Sequence, residues 1–144
     1  MRKRIASLLI LLTMLCAQVQ STEDDIVVVV NIKNSVNSMS HSQVIDMFMG
    51  KYVAFPNGEK AKPVDLDQEQ LTKATFYQKL VGRSLSNINA YWSRLKFTGR
   101  IKESTQLKSE ADVVNFIANN TSSIGYIPRS MTTDKLKIVY TFNE

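Results

Sequence analysis

The run Ile26-Val27-Val28-Val29-Val30-Asn31-Ile32 restricts the fold more than any other part of the chain. All of its residues but Asn31 are β-branched, a side-chain type that loses rotamer freedom in a helix and packs well on a pleated surface. The apolar residues are continuous, not alternating. That pattern predicts a strand buried on both faces, as in a parallel sheet with helices above and below it.

The rest of the chain supplies such helices and further strands. Ser40 and Gln43 have capping-box spacing, Met39 is placed to staple onto Val44, and Val44, Ile45, Met47 and Phe48 form an apolar side that Gly50 closes. Phe55-Pro56-Asn57-Gly58 reads as a turn, and Ala61 to Leu66 as a short strand. Asp67, with Gln70 three residues on, is expected to open a second helix whose inner side is Leu71, Ala74, Tyr77, Leu80 and Val81, ending at Gly82. A third, from Ser84 or Ser86, carries Leu85, Ile88, Tyr91, Trp92 and Leu95, so Tyr91-Trp92 reads as core packing. Arg100 to Lys108 reads as a polar connection. Ser109 and Asp112 cap a fourth helix bearing Val113, Val114, Phe116 and Ile117.

Ser123 to Ile127 reads as a strand halted by Pro128, and Leu136, Ile138, Tyr140 and Phe142 alternate as in a half-buried strand. Alternating strands and helices define an α/β class with a mostly parallel sheet flanked by helices.

The first residues stand apart. Arg2, Lys3 and Arg4 precede an apolar run from Ile5 to Leu15, too short to span a bilayer and suited to a signal-peptide core. Val19 and Ser21 occupy the −3 and −1 positions of a cleavage site after Ser21. Residues 1–21 are thus expected to be a signal peptide and residues 22–144 a single periplasmic domain without a transmembrane segment. A lipid anchor at Cys16 is disfavoured by bulky Leu15 before it. The chain carries 18 basic and 13 acidic residues, a formal charge of +5. Cleavage would remove three bases and no acids, leaving +2, so the basic balance does not point to nucleic acid.

The chemistry is restricted by what is missing. Residues 22–144 contain no cysteine and one histidine, His41, which allows no Cys–His pair and no multi-histidine metal cluster. None of the five glycines falls in a phosphate-loop or dinucleotide pattern. No catalytic set, metal or cofactor is expected, and the protein reads as a non-enzyme. His41 reads as an exposed or capping residue beside a helix start. Asp65, Asp67 and Glu69 lack the glycine and glutamate of a calcium loop and read as capping or solvated carboxylates.

Several segments in order resemble one family: Val29 to Asn34, Ser40 to Lys51 with its Phe48-Met49-Gly50-Lys51 finish, Pro56-Asn57-Gly58, Pro63-Val64-Asp65, Phe76, Tyr91-Trp92-Ser93-Arg94, Phe97-Thr98-Gly99 and Ile124-Gly125-Tyr126-Ile127. Over residues 26–128 the chain resembles the substrate-binding proteins of phosphate ABC transporters, which have a type 2 periplasmic-binding fold. The resemblance implies two-lobed clamshells closing on an anion, of which this chain has room for one lobe. It further implies an Arg after "PVD" and a Ser-Gly-Thr opening the next helix, where a guanidinium, hydroxyls and backbone N–H groups hold phosphate.

Here Leu66 stands at the Arg position and Gln70-Leu71-Thr72 at the Ser-Gly-Thr positions, so only Thr72 matches. Contacts of about 1–3 kcal/mol each are lost, roughly two to four powers of ten in affinity. Asp67 and Glu69 add like charge beside the same helix start. Any small-anion site, for inorganic phosphate or another oxyanion, is therefore expected at Thr72, Gln70 and Lys73, with Asn34, Ser35 and Ser38 in the loop after the first strand as further candidates. Lys73 offers charge without the forked geometry of a guanidinium. The alternative role is an interaction or accessory module that meets an envelope protein or a second copy of itself.

Overall fold

The computed structural model of the chain describes residues 24–67, 70–99, 101 and 104–142. The expected signal peptide and Glu69 lie outside the described residues. The elements are β1 (Ile26–Asn31), α1 (His41–Phe48), β2 (Lys62–Leu66), α2 (Leu71–Val81), α3 (Leu85–Phe97), β3 (Thr105–Leu107), α4 (Glu110–Asn119), β4 (Ser123–Pro128) and β5 (Leu136–Thr141).

They build one five-stranded sheet in the order β3-β2-β4-β1-β5. β2 pairs parallel with β3 and β4, and β1 pairs antiparallel with β4 and β5. Four strands therefore run one way, and β1 runs against them. All six β1 residues are buried, whereas Ile32, the last residue of the β-branched run, lies past the strand and is 49% exposed. A continuous apolar run reports that both faces are covered. It carries no information on direction, which the chain's route sets.

Helices cover both faces. On one, α4 lies so close to β4 that a Cβ on Gly125 would come within 2.8 Å of Val64 Cγ2 and 2.9 Å of Ile117 Cδ1. Glycine at 125 is thus a packing requirement. On the other face, Phe76 of α2 stacks on Tyr126 with ring centroids 3.8 Å apart, and Phe48 from α1 meets the same tyrosine edge-on. α3 packs against α2, with Ile88 fully buried and Tyr91 and Trp92 half-buried against the core.

The capping chemistry forms as the sequence indicates. Ser40 Oγ accepts from Gln43 N–H while the Gln43 side chain accepts from Ser40 N–H. Ser84 and Ser109 cap α3 and α4. Gly50 and Gly82 have φ of +69° and +64°, left-handed values that side chains with a Cβ seldom adopt.

Four expectations need correction. α2 is not capped by Asp67; Gln70 occupies the N-cap without a side-chain cap bond. Its inner face is Lys73, Phe76, Tyr77 and Leu80, whereas Leu71 is 78% exposed. The polar connection contains β3, a three-residue edge strand whose partner supplies the hydrogen bonds and whose side chains are largely exposed, so no apolar signal marks it. In β5 the alternation breaks: Val28 pairs with Tyr140 and Val29 with Ile138, which leaves Val139 as a bulge and makes Leu136 and Val139 the buried residues.

Candidate functional site

The C-terminal end of β2 leads directly into α2, and here Asp65 of the strand meets Lys73 of the helix. Asp65 and Lys73 are each 3% exposed and form an ion pair of 3.1 Å. Asp65 Oδ2 also accepts from the Tyr77 hydroxyl at 3.0 Å, and Oδ1 accepts from Leu66 N–H at 2.9 Å and from the Tyr126 hydroxyl. Lys73 Nζ donates in addition to the Leu66 carbonyl at 2.9 Å. Asp65 is therefore not a capping or solvated carboxylate. It sits in the core, where only multiple donors and an opposite charge offset its desolvation.

Burial, and then the negative charge of Asp65, raise the Tyr77 and Tyr126 hydroxyls well above their usual pKa of 10.0. The native state thus retains protons that the unfolded chain releases above about pH 10, so this contribution is intact below that pH and is lost as pH rises toward the native values. Urea midpoints are expected to hold between about pH 7 and 9 and fall from about pH 10 upward, with a shallower fall in Tyr126→Phe. Identical alkaline slopes in the two proteins would refute this assignment.

The candidate residues divide into two groups. Gln70 and Thr72 lie at the start of α2: Gln70 Nε2 donates to the Lys108 carbonyl at 3.0 Å, and Thr72 Oγ1 donates to Glu110 Oε1 at 2.5 Å, joining the starts of α2 and α4. Lys73 is in the same turn, but its charge is directed inward to Asp65. Leu66, where the sequence resemblance implies an Arg, is fully buried.

The second group sits at the other end of the sheet. Asn34 Nδ2 donates to the Thr121 carbonyl at 2.8 Å just before β4, and Asn34 Oδ1 accepts from Val36 N–H. Ser35 Oγ accepts from Asn57 Nδ2 at 2.7 Å, and Ser38 is exposed. β2 ends beside the C-terminal half of β4, so the six-residue β4, about 17 Å long, separates the groups. They do not converge on one small ion.

His41 is exposed, as expected, yet its ring is held on both sides. Nε2 lies 2.8 Å from the Leu80 carbonyl and must carry the proton, while Nδ1 lies 2.9 Å from the Tyr140 hydroxyl. It fastens the start of α1 to the end of α2 and to β5. Among the described residues, no three His, Cys, Asp or Glu side chains are grouped to hold a metal ion. The Asp65–Lys73 pair was missed by the sequence reading, although the spacing 73, 76, 77, 80 places Lys73 on the apolar stripe of α2.

Solved structures share this arrangement of a mixed sheet with one reversed strand and helices on both faces. An ABC-type phosphate transport receptor from Vibrio cholerae superposes with a TM-score of 0.63 at 16% identity, covering 81% of this chain and 46% of that one. A putative phosphate ABC transporter substrate-binding protein from Clostridium perfringens, solved with bound phosphate, gives 0.64 at 16% identity, covering 81% and 44%. PstS from Borrelia burgdorferi gives 0.61 at 12% identity, covering 84% and 49%. At these identities the likeness establishes the fold. The chain spans less than half the length of each, in keeping with a single lobe. No protein-family model and no curated protein matches the sequence. Among the described residues, no helix is long and apolar enough to cross a membrane.

Proposed function

We propose that this chain is an exported, non-catalytic, solute-binding-like protein of one lobe, in which phosphate capture of the transporter type has been given up. The observation that carries the reading is the Thr72–Glu110 hydrogen bond. The one hydroxyl matching the resemblance already donates to a carboxylate, and that carboxylate repels an incoming oxyanion. Lys73 adds little, because Asp65 neutralises it. Isothermal titration with phosphate and with sulfate is expected to give dissociation constants weaker than about 1 mM. Glu110→Gln, which removes the like charge, is expected to strengthen whatever binding remains. A micromolar constant for phosphate in the native protein would overturn the proposal.

Export rests on the basic residues and apolar run of positions 2–15. Its check is mass spectrometry of the protein recovered from the periplasm, where a chain beginning at Thr22 is expected and a chain retaining Met1 would refute cleavage. A second reading, an accessory module, draws support from Leu71, exposed beside Gln70 and Thr72 at the start of α2. Self-association through that end predicts a concentration-dependent mass in light scattering that Leu71→Lys abolishes. A monomer at all concentrations excludes the self-association form of this reading.

A further inference from the structure

A second concave site lies away from the start of α2. The end of α1, the turn between α2 and α3, and one side of α3 enclose a pocket of about 450 Å³. Its floor is apolar, from Ile45, Met49 and Val81, and its rim carries Lys51, Arg83 and Arg94. No Asp or Glu lines it. The size is that of a small-molecule site.

Of the described arginines, Arg129 lies 3.9 Å from Asp25 in an ion pair, whereas Arg83 and Arg94 pair with no acid among the described residues. Lys51 likewise has no acidic partner among them, as is true of most described lysines, Lys73 on Asp65 being an exception. Three cations and no acid around one pocket are a local concentration of positive charge.

One further observation bears on the charge of a ligand, and another on how firmly the wall is held. The N-terminus of the 13-residue α3 lies beside this pocket: Arg83 precedes its cap Ser84, Asn87 of its first turn lines the wall, and that turn contains no acidic residue. That helix end offers partial positive charge, set against the partial negative ends of α1 at Met49 and of α2 at Val81. The wall is also held in place, because the Tyr91 hydroxyl donates to the Met49 carbonyl at 2.8 Å and ties α3 to α1.

We propose that this pocket binds a small organic oxyanion, a phosphate monoester or carboxylate, whose charged group meets Arg83, Arg94 and Lys51 and whose apolar substituent rests on Ile45, Met49 and Val81. Guanidinium groups suit the oxyanion because they can engage two of its oxygens at once. The apolar floor selects for the substituent, so inorganic phosphate is the poorer ligand. The site lies at the C-terminal end of α2, a helix of 11 residues and about 16 Å, with Gln70 and Thr72 at the other end. It is therefore independent of the question asked of those residues.

The test is a titration of the ¹⁵N-labelled protein with phenyl phosphate, followed by amide chemical shifts. Saturable shifts are expected at residues 49–51 and 82–87. The Arg83→Gln/Arg94→Gln double substitution should weaken binding at least tenfold, and Lys51→Gln alone by a smaller factor. Inorganic phosphate should bind several-fold more weakly and benzyl alcohol should leave these amides unshifted. The substituted side chains are exposed, so an unchanged spectrum of the free variant confirms its fold. Shifts that do not saturate, that centre on residues 70–72, or that survive the double substitution would overturn the proposal.

Discussion

Asp65→Ala is expected to lower stability by about 3–5 kcal/mol, because it leaves the Lys73 ammonium buried without its counter-charge. Lys73 is 3% exposed, and beyond Asp65 its only hydrogen bond among the described residues is to the Leu66 carbonyl. The same substitution removes the acceptor of the Tyr77 and Tyr126 hydroxyls. Against the roughly 5–15 kcal/mol typical of a domain, this is a large share. Urea unfolding should show it directly. Adding Lys73→Met should recover part of the loss, since the uncompensated charge disappears while the tyrosines still lack an acceptor. A single variant within about 1 kcal/mol of the parent would show that the ion pair is not the element described here.

Phe76→Ala is expected to cost about 3–5 kcal/mol through the cavity it opens. Phe76 has no exposed surface, stacks on Tyr126, and meets Phe48, Tyr77 and Phe142 edge-on with centroids 4.9, 5.2 and 5.9 Å away. Together with Tyr77 it is the ring through which α2 engages the sheet. Phe76→Leu, which retains most of the volume, should lose less than the alanine variant. Because Tyr126 is shared, the effects of Phe76→Ala and Asp65→Ala should not add, and a double-mutant cycle should return a coupling of about 0.5–3 kcal/mol. Equal losses for the leucine and alanine variants would contradict the cavity account.

The legible features are those encoded over a few residues. The Ser40–Gln43 capping box, the left-handed Gly50 and Gly82, and the burial of Val27 to Val30 each depend on neighbours within one turn or one strand. The candidate site was legible only in part. Gln70, Thr72 and Lys73 do share the start of α2, but their partners Lys108, Glu110 and Asp65 follow no common spacing, and Asn34 is taken to the far end of the sheet by Thr121. Lys73 illustrates the difficulty: its helical position predicts an inward side chain, while its charge predicts an outward one. Only a buried acid from another element decides between them.

By itself, the sequence determined that this chain needs a two-face-covered sheet with helices between strands, because a β-branched run cannot be left in water on either side. It also determined where most helices stop and start, since caps are local chemistry. The tertiary structure alone decided that β1 runs against its neighbours, that Val139 bulges, that three-residue β3 exists, and that Asp65 is a core residue. The physical reason is common to all four. Strand direction, register and the partner of a buried charge are settled between segments far apart in the chain, as with Tyr126 and Asp65, which lie 61 residues apart.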